Sequence, residues 1–419
     1  APARSRVAAD MSRDFDVVIV GGGMVGATLA CLLARGDAGV RIAVLEAREP
    51  PPFDPEAPAG NRVSAISRGS MRILAAAGVW ERVASLRISP YREMRVWDAA
   101  GEAFGNDALH FDRAELGEPD LGAIVESGRF LWSLAGRLRG LSEVCWVAPA
   151  RLGSLEFEPE RVVVALEDGR RLRARLVVGA DGAASTSRQL AGIETAGWDY
   201  PQHAVVANVR CEAGHRETAW QRFLPTGPLA FLPLSDGRCS IVWSTTPERA
   251  SELLAMSEPD FCAAVTAAAD GVLGNVTAAA GCAAFPLRLR YARAYTRPRF
   301  ALIGDAAHAV HPLAGQGVNL GFLDAAALAE CLGEGIAEGR DPGDRRVLRR
   351  YERWRKGDNM AAMFLIDGIG RLFSNDSDAL ANLRRFGLGL VNAAPAVKHE
   401  FIRRAMGVTG DLPRLARIG

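Results

Sequence analysis

Three glycines, Gly21, Gly23 and Gly26, directly follow the β-branched run Phe15–Val20 (FDVVIV) and directly precede the helical pattern ATLACLLAR. Strand, tight turn and helix in that order leave few folds open. The first glycine permits the turn, the second lets the backbone approach a pyrophosphate, and the third lets the helix pack on the strand, with the helix N-terminus facing the phosphates. Glu46 lies 20 residues beyond the last glycine, at the end of the next apolar run RIAVLE. A carboxylate there accepts hydrogen bonds from ribose hydroxyls. The two runs and the helix between them form a βαβ unit, which implies a parallel sheet. No second complete G-x-G-x-x-G occurs in the chain, so one tightly held dinucleotide is expected.

After a proline-rich loop (Pro50 to Pro58) come a helical stretch, SRGSMRILAAAGVWERV, and strand-like pieces such as EMRVWDAAGEAF. Between Ala204 and Thr245 short strand candidates (AVVANVRC, WQRFL, LAFLPL, CSIVWS) alternate with the turn pairs Thr226-Gly227 and Asp236-Gly237, the pattern of an antiparallel sheet in a second domain. RFALIG, Arg299 to Gly304, returns to the buried-strand composition of the start, and a helical pattern follows from Val318 to Ile336. The chain therefore re-enters its first domain. The expected division is a discontinuous dinucleotide domain (11–85, 112–195 and 296–344), a substrate domain (86–111 and 196–295) and a helical C-terminal region (345–419). That last region carries 15 basic residues against seven acidic ones. It suits docking to a protein partner or to anionic lipid, and equally an ordinary solvated face.

Composition removes several classes. With 49% hydrophobic and 24% charged residues the chain is neither disordered nor fibrous. A net charge of +1 offers no global field for nucleic acid, which is not an expected partner. The seven cysteines are scattered, with no C-x-x-C pair, and suit a reducing cytoplasmic setting. Met11 reads as the start, and the ten residues before it are set aside from fold reasoning. The longest alanine-rich stretch, Ala263 to Phe285, is broken by Asp270 and Asn275, short of the ~18 apolar residues of a spanning helix.

Two further segments carry chemistry. In LVVGADGAASTSR a strand runs into Gly179, Asp181 and Gly182, whose ordinary reading is an Asp-Gly turn. In RFALIGDAAHAVHPLAGQGVNLGF a strand ends at Gly304-Asp305, and a loop containing Pro312, Gly315 and Gly317 leads into a helix. A carboxylate at a strand end beside a helix N-terminus can serve two parts of one ligand, bonding a polyol chain and stabilising negative charge. His308 and His311 invite a metal reading, but no third ligand accompanies them, and no metal is expected.

These three segments, in this order, resemble the FAD-dependent aromatic hydroxylases of the para-hydroxybenzoate hydroxylase type. NRVSAIS (Asn61 to Ser67), MRVWD (Met94 to Asp98), IVES (Ile124 to Ser127), WDYPQHA (Trp198 to Ala204), LAFLPLSD (Leu229 to Asp236) and RYERWRK (Arg350 to Lys356) are similar to the ubiquinone-biosynthesis flavin hydroxylases. The likeness spans Asp14 to about Pro413. The VWD, WDY-QHA and terminal MG-DLP pieces look nearest to hydroxylation of ring carbon five. The fold implied is α/β: a Rossmann-like FAD-binding domain with an inserted mixed or antiparallel β-sheet substrate domain and a C-terminal helical region.

The resemblance also implies roles. Gly21, Gly23, Gly26 and Glu46 would hold the ADP half of FAD; Arg62 would sit near the flavin and its phosphates, Asp181 beside the pyrophosphate, and Asp305 on the ribitol. Gly317, Val318 and Asn319 would bring backbone N–H groups and a helix dipole to the flavin N1 and C2 carbonyl, and Pro312 would approach the face that meets oxygen. The implied reaction is hydroxylation of a polyprenylphenol by way of a flavin C4a-hydroperoxide, with O₂ as co-substrate and NAD(P)H or an external reductase as electron donor. Leu229 to Leu234 and Phe285 to Leu287 are candidate pocket walls, and no general base announces itself, His203 being more readily structural. One departure stands out: the polar residue usual in the helix after the IVEN-like motif gives way to SGRFLW, leaving only Arg129 nearby. Participation in a ubiquinone-biosynthesis assembly and a peripheral place at the inner membrane are further implications. Halogenation is disfavoured because no two of the eight tryptophans lie two apart and only Lys356 and Lys398 exist. Epoxidation, alkene reduction and a non-catalytic scaffold remain open.

Overall fold

A computed structural model describes residues 14–36, 39–52, 54, 57, 59–310, 317–373, 392 and 394–417. The first sheet has eight strands. Its central strand Asp14–Val20 pairs in parallel with Ile42–Leu45 on one side and Arg171–Gly179 on the other, with Val17 opposite both Ile42 and Leu176. Val144–Val147 and Phe300–Leu302 extend it in parallel at either side. Parallel sheets carry helices on both faces, which is why these strands are unbroken apolar runs: Val17, Val18, Ile19, Leu176, Val177 and Val178 are all fully buried. One cover is the helix Met24–Arg35, which packs on the helix Gly317–Ala337.

The second sheet, also of eight strands, is mixed. Thr195–Cys211 and Val276–Ala292, 17 residues each, form its long antiparallel pair, followed by Cys239–Thr245, Gly227–Pro233 and Thr218–Leu224. Thr218–Leu224 then pairs in parallel with Glu93–Asp98. Alternation assigns its two faces. Val205, Ala207 and Val209 enter a core with Phe231, Ile241 and the helical residues Leu253, Phe261 and Val265. Ala204 and Val206, which alternate with them in sequence, line a cavity instead. A third sheet of three strands, Val63–Ser67, Gly122–Glu126 and Ser89–Tyr91, adds a further wall.

The helix Arg345–Phe373 ties the two large sheets together. Tyr351 donates to the Leu302 carbonyl at 2.8 Å, and Glu352 accepts from Tyr295 N and Thr296 Oγ1, each at 2.8 Å. Near its far end, Asp367 accepts from the Tyr200 hydroxyl at 2.6 Å. No helix among the described residues is long and apolar enough to cross a membrane.

Between these helices lies a fully buried ionic cluster. Asp324 Oδ1 accepts from Arg355 Nε and Asn359 Nδ2, both at 2.9 Å. Its Oδ2 accepts from His308 Nε2 at 2.5 Å and from Gly304 N at 3.1 Å. Burial alone pushes the Asp324 carboxyl up, but the charges of His308 and Arg355 and the convergent hydrogen bonds outweigh it and hold the group below the usual carboxylate range. A depressed carboxyl contributes stability above its unfolded value, ~3.9, and loses it as pH falls through the lower folded value. Asp324→Ala, which strands the Arg355 charge, is expected to cost about 3–5 kcal/mol in urea unfolding near neutral pH. Asp324→Asn should lose the acid-side slope below about pH 4 that the parent shows; an unaltered slope would place the acid sensitivity elsewhere.

Candidate flavin and substrate site

The glycine turn shows why glycine is required there. Gly21 has φ +105°, and a Cβ on it would meet the Ala180 carbonyl oxygen at 2.4 Å. A Cβ on Gly26 would meet the Gly21 carbonyl oxygen at 2.1 Å, so the helix can approach its strand this closely only without a side chain. Gly23 faces the opposite circumstance: nothing lies within 4 Å of the place a Cβ would occupy. That open space adjoins the N-terminus of Met24–Arg35, which no side chain caps, so its first amides remain available to an anion. Glu46 Oε2 accepts from Gly22 N at 2.8 Å and Oε1 from Arg48 N at 3.1 Å, which holds the carboxylate beside the turn.

A cavity of about 570 Å³ begins at this turn and ends on the second sheet. Its cofactor end is lined by Gly23, Met24, Arg62, Asp305, Gly317 and Val318. Asp305 lies on the cavity wall, its carboxyl enclosed by the surrounding chain and open only to the cavity. Burial raises its carboxyl above the ordinary range, against the lowering effect of His308 and Arg62. A carboxyl at this place can accept hydrogen bonds from the hydroxyls of a polyol. Gly317, the first residue of the long helix, lies against it, since a Cβ there would sit 3.9 Å from Asp305 Oδ1. The site thus offers what a dinucleotide flavin needs: free helix amides at the phosphates, a carboxyl at the strand end, and a second helix terminus at the far end.

The remaining sequence candidates are placed differently. Asp181 does not line the cavity; its carboxylate accepts from Ser185 Oγ (2.6 Å), Ser187 Oγ (2.7 Å) and Ser187 N (2.9 Å), fixing the turn into the helix Thr186–Leu190. Its neighbours Ala180 and Gly182 form the wall. The Asn319 side chain is likewise engaged away from the cavity. It accepts from Ser67 N (2.9 Å) and Ser70 Oγ (2.7 Å) and donates to the Ala65 carbonyl (2.8 Å), clamping the long helix to the Arg62 segment. Arg129 is 6% exposed, paired with Glu126 at 2.8 Å, and does not reach the cavity wall. His203 is absent from that wall as well, and Pro312, His311 and Gly315 lie outside the described residues.

Of the candidate apolar walls, Ala230, Leu232, Phe285 and Leu287 line the cavity, whereas Leu229 and Phe231 point the other way into the core. Sequence reasoning missed Asp324 and Arg355. A lone acid within the apolar run LGFLDAAALA was the available signal.

Two substitutions test the cofactor end. Asp305→Ala should weaken FAD retention by at least about tenfold, the value of one good hydrogen bond to a charged or polar group, as read by flavin released on ultrafiltration. Gly26→Ala should destabilise by about 1–3 kcal/mol through overpacking and lower flavin content with it. Retention equal to the parent in Asp305→Ala would remove Asp305 from the site.

Comparison with known proteins accords with this geometry. A family model described as an FAD binding domain matches residues 14–363. The chain is 38% identical to the ubiquinone biosynthesis monooxygenase COQ6 of Xenopus tropicalis, over 93% of this chain and 92% of that protein. It is also 38% identical to the 3-demethoxyubiquinol 3-hydroxylase of Escherichia coli (strain K12), over 94% and 98%. Among solved structures, p-nitrophenol 4-monooxygenase PnpA from Pseudomonas putida DLL-E4 superposes with a TM-score of 0.76 at 21% identity, covering 94% of this chain and 98% of that one, a likeness of fold. A parallel sheet ending in a glycine turn, an open cavity between that turn and a mixed sheet, and relatives alike over nearly their whole lengths have one reading: the chain belongs to the FAD-dependent monooxygenases, in the family that contains the ubiquinone-biosynthesis hydroxylases.

Proposed function

We propose that this enzyme hydroxylates the aromatic ring of a polyprenylphenol intermediate of ubiquinone biosynthesis, at ring carbon five. The observation that carries the reading is the single cavity that joins the cofactor end to the second sheet, because a ring held on that sheet is within the same enclosure as the flavin. The MRVWD, WDYPQHA and MGVTGDLP segments favour carbon five over other positions. Electrons come from NAD(P)H bound transiently or from an external reductase, and O₂ supplies the oxygen atom. A prenylated phenol partitions into lipid, so the same reading puts the enzyme at a membrane surface as a peripheral protein.

Bound FAD would supply the two-electron activation of O₂ at the cavity's inner end. The chain's own residues do the rest. The N-terminus of Gly317–Ala337, with Gly317 and Val318 on the wall, brings a partial positive charge to the cavity that would favour the negative charge of a reduced flavin ring held there. Arg62 adds a full charge to the same end. The walls from Val63, Ala65, Ile124, Leu232, Val242 and Leu287 exclude water from the reacting oxygen and hold the ring against it.

Deletion of the gene in its host under aerobic growth tests the assignment. The expected result is accumulation of a prenylphenol lacking the carbon-five hydroxyl, identified by mass spectrometry and NMR. A precursor blocked at carbon one or six would reassign the position, and unchanged ubiquinone with no accumulated precursor would contradict the pathway.

A further inference from the structure

The strand Thr218–Leu224 faces two environments. Trp220 is 3% exposed and enters the core beneath the helices, while its neighbours Ala219 and Gln221 turn to the cavity. An amide is out of keeping with that wall, since the residues paired with Gln221 on the adjacent strands are Val96 and Ala230. Gln221 is only 5% exposed, yet its side chain makes no hydrogen bond among the described residues. Its amide is not sealed in the core but opens onto the cavity, where it is available to a bound molecule. The same wall carries Ser240 and Ser244, each 1% exposed and each with a hydroxyl that bonds to no described residue. Ser240 pairs with Leu232, and Val242, between the two serines, pairs with Ala230, which in turn is the partner of Gln221. Amide and hydroxyls therefore share one face of three neighbouring strands, at the end of the cavity away from the glycine turn.

A side-chain amide both donates and accepts. Its oxygen can take the proton of a phenol, and its nitrogen can donate to an oxygen on the ring. Apolar walls hold an aromatic ring by area alone and leave its rotation about the cavity undetermined; one buried polar anchor sets which ring carbon faces the flavin end. We infer that Gln221 is a substrate-binding residue that hydrogen-bonds an oxygen substituent of the aromatic ring, with Ser240 and Ser244 as the adjoining polar contacts, and that it selects phenolic over unoxygenated rings. This deepens the prenylphenol reading and rests on it. Rejection of the unoxygenated ring follows because that ring would seal the amide from water without a partner.

The test uses the FAD-loaded enzyme, titrated with farnesylphenol and with farnesylbenzene and followed by perturbation of the flavin absorbance. The parent should bind the phenol more tightly. In Gln221→Met, of similar length and without the amide, the phenol Kd should weaken by about tenfold to a hundredfold, while the farnesylbenzene Kd stays unchanged. The melting temperature of the substrate-free holoenzyme should not fall, because no protein hydrogen bond is lost. A phenol Kd equal to the parent's, an equal weakening for both ligands, or a lower melting temperature would each overturn the inference. Should Gln221→Met fail to load FAD, Gln221→Asn decides it: withdrawing the amide by one methylene should weaken the phenol alone. A parent with no preference for the phenol would remove the prenylphenol reading as well, whereas a parent that prefers it and a variant that keeps the preference would remove only the role of Gln221.

Discussion

The Asp324 carboxylate receives four donors from two separate parts of the chain, and through them the cofactor end of the cavity is held in place. Burying an ion is unfavourable unless its lone pairs are met and its charge is opposed. Here Gly304 N and His308 come from the strand-end turn, while Arg355 and Asn359 come from the helix Arg345–Phe373. Arg355 is itself completed by Asn359 Oδ1 at 2.7 Å and by Asp358 at 3.3 Å. A buried carboxylate with four convergent donors leaves its surrounding parts little freedom to rearrange. That arrangement sets the turn bearing Asp305 against the helix that begins at Gly317, and so determines where the carboxyl and the helix terminus stand on the cavity wall.

The second determinant is the division of faces in the mixed sheet. Each strand gives alternate residues to the helical core and to the cavity, so a single strand supplies both stability and recognition. Trp220 and Gln221 are adjacent in sequence and serve these two ends. The cavity face of the sheet is mainly apolar, with Gln221, Ser240 and Ser244 as polar positions among the described residues of its three strands. The parallel sheet does the corresponding work for the cofactor, bringing the ends of Asp14–Val20, Arg171–Gly179 and Phe300–Leu302 side by side so that three distant motifs border one space.

Much of this was legible in the chain itself. Gly21, Gly23, Gly26 and Glu46 could be read because their chemistry is local: the turn, the close approach and the carboxylate all follow from spacing. Asp305 could be read for the same reason, as the residue ending a buried strand. What could not be read is how the Asp181 and Asn319 side chains are engaged: both bond backbone and hydroxyl groups and hold their loops in place, contacts that only the packed structure brings together. The Asp324–Arg355 pair joins residues 31 apart on different helices, and nothing short of the packed structure aligns them. Gln221 was hidden by parity, since WQRFL has no alternation from which to tell which of its residues face a cavity.

The central claim is that a prenylated phenol and the flavin meet within one enclosure. It is tested most directly by reducing the FAD-loaded enzyme with dithionite under anaerobic conditions, adding farnesylphenol, and mixing with ¹⁸O₂ for a single turnover. The account predicts a ring-hydroxylated product carrying one ¹⁸O atom, in an amount that tracks the reduced flavin. Label recovered only in hydrogen peroxide, with the phenol unchanged, would contradict it.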